Sequence, residues 1–392
     1  MKKSFLFPLL LSLSLLLVSC GGGGGSTNVN ADQPFSSAEK EFVYDLFNTE
    51  YLWFDEVASN VDYLAFDTPQ ALIDGLKVEK DKWSFSLTEQ EYEDMVNQTT
   101  AGFGFGYTDG FLIYLVRIDA PAWEKLYRGD IILKVNGEAA SSENIAAASK
   151  NLHVSTTFTI DRQGREKNIV LTPREYTFKV TEGNVLPGNI GYLRYDSFTS
   201  TSVTEFEREF TKFKAANISD IIIDLRYNGG GSVDVASTLL DNLSNQHPGQ
   251  RQVYLDWNVN YQSRNSSYYF SDDIEANDLN MQRVIFLVTE NSASASELVI
   301  SALKPYLGND KVVTIGTATH GKPVGMDGRT YGSNYYFLIN FEVKNNAGYT
   351  TGLNGIPATC TAVDDFSHQR GDPEETMLKT ALDYIAGGYT CP

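Results

Sequence analysis

Two strongly apolar runs in the second half of the chain constrain its fold more than any other feature. Residues 221–225 read Ile-Ile-Ile-Asp-Leu, and residues 284–288 read Val-Ile-Phe-Leu-Val. Runs without polar alternation are typical of strands buried on both faces, as in parallel sheets covered by helices. Each run is followed by a turn of small residues and then by a stretch of helical periodicity. The pattern predicts an α/β layered domain over residues 176–392.

The beginning of the chain predicts export. Two lysines precede an apolar run over residues 5–18, which is too short for a membrane span of about 20 apolar residues. The run ends in Leu-Val-Ser-Cys at Cys20, the form of a bacterial lipoprotein cleavage box, and a glycine-rich tether follows. We predict a lipoprotein signal peptide over residues 1–19 and a lipidated tether over residues 20–31. An ordinary secretory signal with a chance cysteine is the alternative.

The lipoprotein interpretation places the protein in the cell envelope, held to a membrane by its lipid anchor on the periplasmic or cell-surface side. Apart from Cys20, the chain has Cys360 and Cys391. An even pair of cysteines in an oxidising compartment predicts a disulfide, and two buried thiols are the alternative.

Charge and histidine content exclude several function classes. The formal net charge is −19, so the chain offers no basic patch to nucleic acid. The four histidines are scattered, and no Cys/His cluster has the spacing of metal ligands. The sequence predicts neither a metal nor another cofactor.

The segment of residues 32–98 predicts a small helical region. Residues 36–39, Ser-Ser-Ala-Glu, have the sequence of a capping box, and apolar residues recur after them at helical spacing. A second helical stretch covers residues 68–79. The aromatic residues of this segment, Trp83 among them, are most simply explained as core.

Residues 100–175 are similar to a PDZ domain in two motifs. Gly-Phe-Gly-Phe at 102–105 matches the carboxylate-binding loop, and Arg-Gly-Asp-Ile-Ile-Leu-Lys-Val-Asn-Gly at 128–137 matches the strand and turn that follow the first short helix. Successive backbone N–H groups in a glycine-rich turn can hold a carboxylate, and an adjacent strand edge can pair with an extended peptide. The free C-termini of protein or peptide substrates are therefore expected to bind at Phe103, Gly104 and Phe105.

Three junctions after predicted strands carry residues capable of chemistry. The first is the glycine turn of residues 224–232, Asp-Leu-Arg-Tyr-Asn-Gly-Gly-Gly-Ser. Backbone N–H groups of such a turn can face an anion, which fits an oxyanion hole or a phosphate loop, although the Gly-Lys-Ser/Thr ending of a phosphate loop is absent. A plain tight turn is the remaining alternative.

The other two junctions carry a serine and a lysine. In residues 291–297, Asn-Ser-Ala-Ser-Ala-Ser-Glu, a serine between strand and helix can present its hydroxyl where the helix dipole favours a developing anion. Ser294 and Glu297 also have capping-box spacing, so a simple helix start is the alternative. In residues 319–323, Thr-His-Gly-Lys-Pro, Lys322 is either a solvated charge or a base whose pKa of about 10.4 is lowered by burial.

These three junctions, in this order and behind a PDZ-like region, resemble the C-terminal processing (tail-specific) serine peptidase family. The resemblance implies that Ser294 is the nucleophile, that Lys322 is the general base and that Glu297 helps to organise the site. It also implies an oxyanion hole made by backbone N–H groups of Ala295 and Gly230. The sequence departs from the family at Met326, where glutamine is frequent, and at Pro323, which replaces a glycine.

The expected fold is a multidomain α+β arrangement: a helical segment, a PDZ-like β domain and an α/β layered catalytic domain of the crotonase-like, tail-specific protease type. The expected function is that of a serine endopeptidase acting on unfolded or flexible-ended proteins. One alternative is a non-catalytic, PDZ-containing, peptide-binding lipoprotein. Another is a hydrolase with His320 as base, which needs a carboxylate partner that the sequence does not identify.

Overall fold

The computed structural model describes residues 35–392. The predicted signal peptide, the tether and Cys20 lie outside the described residues. Between residues 35 and 392, no helix has the length and apolar character needed to cross a membrane.

The N-terminal segment, residues 35–98, contains a strand as well as helices. The Ser36 hydroxyl accepts a hydrogen bond from the Glu39 N–H and so caps the first helix. The buried Glu39 carboxylate accepts bonds from Tyr336 Oη and Asn334 Nδ2, far along the chain. The elements are α1 (Ser37–Thr49), α2 (Pro69–Leu76), β1 (Phe85–Thr88) and α3 (Glu89–Val96).

A small β domain follows, with a hydrophobic core of its own around Phe158 and Ile160. Its elements are β2 (Thr99–Gly102), β3 (Phe105–Tyr107), β4 (Ile113–Val116), β5 (Ile131–Val135), β6 (Glu138–Ala139), α4 (Ser142–Lys150), β7 (Thr156–Arg162), β8 (Arg165–Leu171) and β9 (Arg174–Thr177). Strands β5 to β8 form an antiparallel sheet in the order β6-β5-β7-β8, while β2 pairs with β9 and β3 with β4.

The C-terminal part contains the largest sheet and four helices. Its first elements are β10 (Thr181–Leu186), β11 (Ile190–Tyr195), α5 (Ser202–Ala215), β12 (Asp220–Asp224), α6 (Val233–Leu243), β13 (Arg251–Trp257), β14 (Ser266–Tyr269), β15 (Val284–Val288) and α7 (Ala295–Leu307). The remaining elements are β16 (Val312–Gly316), β17 (Val324–Met326), β18 (Arg329–Tyr331), β19 (Asn334–Phe337), β20 (Ile339–Asn345), β21 (Cys360–Thr361) and α8 (Thr376–Ala386).

The central sheet has six strands in the order β10-β11-β12-β15-β16-β21. All neighbouring pairs are parallel except β10 with β11. Helices α5, α6 and α7 pack on one face, and α8 packs on the other through Met377, Leu378 and Ala381. Because both faces are covered, β12 and β15 are buried at every position, which explains the three isoleucines of β12 and the wholly apolar sequence of β15. The predicted α/β layered arrangement is present.

The N-terminal segment, for which a small helical region was predicted over residues 32–98, packs against a later part of the chain. Strand β1 pairs with β19, and the apolar faces of α1 and α2 share a core with Tyr336, Leu338 and Ile339. The reason is that β19 and β20 belong to different sheets, with Leu338 between them, so that β19 is free to accept β1 as a neighbour. The N-terminal segment and residues 324–339 therefore share one hydrophobic core.

The predicted disulfide between Cys360 and Cys391 is present. Cys360 lies on β21 at the edge of the central sheet, and Cys391 follows the last helix. The bond fastens the end of the chain to the sheet, next to the helix that covers one of its faces.

Candidate active site

The three chemical junctions meet because the strands before them are neighbours. Strands β12, β15 and β16 are adjacent and parallel, with Asp224 beside Leu287 and Val288 beside Gly316. The carboxyl ends of parallel strands meet at one edge of a sheet, where open α/β sheets commonly bind ligands. The glycine turn, the serine elbow and the lysine loop all follow these ends.

Ser294 has a backbone conformation that a plain helix cap does not need. An ordinary N-cap residue has extended dihedrals, whereas Ser294 has φ 55° and ψ −112°. A positive φ on a residue other than glycine is strained and persists only where the surroundings impose it. The elbow at the start of α7 therefore favours a functional serine over a simple helix start.

The Glu297 carboxylate fastens the serine elbow to the lysine loop. Its Oε2 accepts the N–H groups of Ser294 and Lys322, both at 2.9 Å. Its Oε1 accepts the Gly321 N–H at 2.8 Å and the Thr319 hydroxyl at 2.6 Å. The side chain is 1% exposed. A carboxylate has about four acceptor sites, so these four donors leave little capacity for a bond to the lysine ammonium.

Lys322 has the electrostatic environment of a base. Burial lowers its pKa from the ordinary 10.5 to about 8, against the attraction of the carboxylates of Asp81 and Glu297, which raises it. Its Nζ forms no hydrogen bond and no ion pair with any group of residues 35–392, and it lies 6.0 Å from the centre of the Trp83 ring. A useful fraction of the neutral amine is therefore present near neutral pH.

The two predicted oxyanion donors differ in whether their N–H groups already donate a hydrogen bond within the protein. Within the described chain, the Ala295 N–H donates to no other group, as a hole requires. Gly230 faces the elbow so closely that a Cβ atom there would lie 2.7 Å from Ser294 Cβ, and its φ of +105° also favours glycine. The Gly230 N–H, however, donates to Asn228 Oδ1 at 2.9 Å, so this donor is occupied.

Both ring nitrogens of His320 are used elsewhere. Nε2 accepts the Trp83 Nε1–H at 3.2 Å, and Nδ1 lies 3.1 Å from the Glu290 carbonyl oxygen. Because the indole can only donate and the carbonyl can only accept, the ring is the neutral tautomer with its proton on Nδ1. Neither nitrogen is free to take a proton from Ser294, which argues against a serine–histidine pair.

A buried ionic cluster of Asp224, Arg226 and Glu375 lies at the start of the glycine turn. The fully buried Arg226 bonds to Asp224 through Nε at 3.0 Å and to both carboxylate oxygens of Glu375 at 2.8 and 3.0 Å. Such a paired charge keeps its partners in one geometry. No group of three or more His, Cys, Asp or Glu side chains in residues 35–392 is arranged to hold a metal ion.

Sequence reasoning missed two residues that face Lys322. Trp83 and Asp81 come from the N-terminal segment, and no local pattern marks them as part of the site. Contacts between distant parts of the chain bring them there, among them the pairing of β1 with β19, which joins segments more than 240 residues apart. Met326, at the position where glutamine is frequent in the resembled family, packs in the core beneath the N-terminal helices.

The predicted carboxylate loop lines a cleft of about 160 Å³. Within the described chain, the N–H groups of Phe103 and Gly104 donate to no other group. The cleft lies between β3 and α4, and its lining presents both polar and apolar surface. The lining residues are Phe103, Gly104, Phe105, Tyr107, Ile145, Ala146 and Ser149.

Family models match two parts of this chain. The model described as "Peptidase family S41" matches residues 189–354, which contain all three junctions. The model described as "Peptidase S41 N-terminal domain" matches residues 38–85, which contain Asp81 and Trp83.

Curated relatives align with most of the chain. The "Probable CtpA-like serine protease" of Staphylococcus aureus (strain MRSA252) is 27% identical over 297 residues, which is 72% of this chain and 56% of that protein. The protein of the same name from Staphylococcus saprophyticus is 25% identical over 311 residues, which is 76% of this chain and 60% of that protein. The chain thus spans somewhat more than half the length of these relatives.

Solved structures share the fold. A protein designated an S41 protease from Bacteroides fragilis NCTC 9343 aligns with a TM-score of 0.75 at 23% identity, covering 93% of this chain and 99% of that one. The photosystem II D1 C-terminal processing protease aligns with a TM-score of 0.50 at 18% identity, covering 82% of this chain and 91% of that one. The predicted multidomain α+β fold is confirmed.

The lowered pKa of Lys322 predicts a cost in stability. Below pH 8 the amine is protonated in both states, and burial disfavours it only in the folded one. Between pH 8 and 10.5 only the unfolded chain takes up the proton, so the penalty shrinks as pH rises. We expect Lys322→Met to raise the free energy of unfolding at pH 7 by about 3 kcal/mol. The gain should fall steadily above pH 8.

Urea unfolding at pH 7 and pH 9.5 measures this effect. The matched control is Lys82→Met, since Lys82 is an exposed lysine near the same site. A Lys322→Met protein no more stable than wild type at pH 7 would contradict the assignment of a desolvated amine.

Proposed function

We propose that this chain, which matches two family models of the S41 peptidases, is a serine endopeptidase with a Ser294/Lys322 catalytic pair. The observation that carries the proposal is the shared bond of both residues to Glu297 Oε2. One buried carboxylate fixes the backbone of nucleophile and base in a single geometry. Serine is a weak nucleophile and needs a positioned base of this kind.

In the proposed reaction, Ser294 Oγ attacks the substrate carbonyl carbon while the neutral Lys322 amine takes the proton of the Ser294 hydroxyl. The Ala295 N–H holds the resulting oxyanion, and the Gly230 N–H joins it once it leaves Asn228. Collapse of the intermediate breaks the peptide bond, and the leaving amine takes the proton from Lys322. Water then attacks the acyl-enzyme with Lys322 again as base, which regenerates Ser294 and releases the acid.

The electrostatics of the site support a lysine base. With a pKa of about 8, roughly one tenth of Lys322 is neutral at pH 7. A base whose pKa lies near the working pH combines a sufficient neutral fraction with a strong pull on the proton. Activity should therefore rise with pH up to about 8.

We further propose that the β domain captures the C-termini of substrates. Within the described chain, the N–H groups of Phe103 and Gly104 are unpaired, and the loop of Phe103, Gly104 and Phe105 lines a cleft. Backbone N–H groups in a glycine turn bind a carboxylate, and side chains such as Phe105 and Ile145 in the cleft lining suit an apolar last residue. Unfolded proteins, or proteins with flexible ends, are the class of substrate that can reach both this cleft and Ser294.

Substitution of the catalytic pair tests the central proposal. Ser294→Ala, Lys322→Ala and Lys322→Arg should each lower casein cleavage by a factor of about 10⁴ or more, because a guanidinium cannot give up its proton. The control is Lys304→Ala, which removes a lysine whose pKa burial also lowers, at the far end of α7. His320→Ala should retain measurable activity. Full activity in all the pair variants would leave Ser294 as a helix start and favour a non-catalytic peptide-binding protein.

Amidation of a peptide substrate tests the capture of C-termini. An amide lacks the negative charge that the N–H groups of Phe103 and Gly104 would bind, so KM should rise about tenfold or more while kcat changes little. Steady-state kinetics on matched acid and amide peptides measure the effect. Equal KM values would place recognition outside the loop.

We also propose that Cys20 carries lipid and holds the protein to a membrane in the cell envelope. The support is the Leu-Val-Ser-Cys sequence before a run of glycines. Mass spectrometry of protein isolated from bacterial membranes should find a lipid-modified N-terminal Cys20. A Cys20→Ser protein should move to the soluble envelope fraction, and an unmodified N-terminus elsewhere in the wild type would reject the anchor.

A further inference from the structure

A loop of the N-terminal segment forms one wall of the Lys322 environment. Trp83, which is 6% exposed, places its ring centre 6.0 Å from Lys322 Nζ. Its indole N–H is bonded to His320, two residues before the lysine. The wall therefore contacts the lysine loop at two points.

The loop of residues 81–84 is fixed before any substrate arrives. Asp81, which is 2% exposed, accepts bonds from Tyr51 Oη at 2.8 Å and from Ser84 Oγ at 2.6 Å. It also accepts the N–H groups of Trp83 and Ser84 at 2.9 and 3.0 Å. Ser84 Oγ in turn accepts the Ile339 N–H at 3.1 Å, which ties the loop to β20. A side chain held this firmly can exclude water at a constant position.

The charged and titratable groups around Lys322 are few. Asp81 comes from the N-terminal loop and Glu297 from α7, and both attract the ammonium. His320, on the lysine loop itself, is the neutral tautomer bonded to Trp83 and Glu290. Of the two carboxylates, only Asp81 belongs to the N-terminal segment, so it is the one through which this segment attracts the amine.

We propose that the loop of residues 81–84 is a positioning element of the catalytic site, in which Trp83 keeps water from the Lys322 amine while Asp81 favours its protonated form. The proposal rests on the proposed function, in which Lys322 is the base. Trp83 favours the neutral amine and Asp81 favours the protonated amine, so their substitutions should shift the protonation of Lys322 in opposite directions. Loss of a purely structural role would not give shifts of opposite sign.

The test measures the protonation of Lys322 without requiring activity. Competitive labelling with acetic anhydride, read by peptide mass spectrometry across pH 6 to 11, gives the midpoint at which the amine becomes reactive. All proteins carry Ser294→Ala, so that the reagent cannot acylate the serine. The variants are Trp83→Ala, Trp83→Phe and Asp81→Asn, and the control is Trp53→Ala, a tryptophan of the same segment that contacts Tyr51 and Lys80.

Trp83→Ala admits water and should move the Lys322 midpoint up by roughly one unit, whereas Trp83→Phe keeps an aromatic wall and should restore most of the wild-type value. Asp81→Asn removes a negative charge from a nearly isosteric group and should move the midpoint down. Trp53→Ala should leave it unchanged. Unmoved midpoints in Trp83→Ala and Asp81→Asn, or shifts of the same sign in both, would overturn the proposal.

The same variants with Ser294 intact separate this proposal from the proposed function. The acid limb of the kcat/KM profile for casein cleavage should follow the labelling midpoints, up in Trp83→Ala and down in Asp81→Asn. Opposite labelling shifts without any casein cleavage in the wild type would uphold the loop's effect on the amine and reject the peptidase assignment. Cleavage that requires Lys322, with no shift in either midpoint, would reject the loop alone.

Discussion

The buried Glu297 carboxylate is the interaction on which the geometry of the site depends. A charge without solvent is costly unless hydrogen-bond donors surround it, and Glu297 has four. Three of these donors are backbone N–H groups, so the bonds fix main chain rather than mobile side chains. They also offset the unfavourable dihedrals of Ser294, because the elbow cannot relax without leaving the carboxylate unsatisfied.

The six-stranded central sheet explains why most of the site could be predicted from the sequence. The apolar runs of β12 and β15 predict buried parallel strands. Neighbouring parallel strands bring the loops that follow them to the same edge of the sheet. The motifs of the glycine turn, Ser294 and Lys322, and their order along the chain, were therefore enough to predict that they form one site. Gly230 shows the limit, since its position was predicted but the bond from its N–H to Asn228 Oδ1 depends on a side-chain orientation that no pattern encodes.

The N-terminal segment was the part that sequence could not place. Its helical periodicity is real, and α1 and α2 lie where the pattern puts them. The pattern shows only that these helices have an apolar face, not what covers it. Their partners are Tyr336, Leu338 and Ile339, so a distant part of the chain covers the apolar face of these helices. Trp83 was predicted to lie in the core, and it does, but its sequence context does not show that it also lies beside the proposed base Lys322.

The bond between the Gly230 N–H and Asn228 Oδ1 has a consequence for the resting protein. In the proposed mechanism, only one of the two oxyanion donors is available until this bond opens. Asn228 is fully buried, so solvent water does not compete with its Oδ1 for the Gly230 N–H. Opening requires free energy, and a long substrate bound along its whole length supplies more of it than a short peptide or an exposed loop of a folded neighbour. A protease built in this way would be latent towards the folded proteins that surround it.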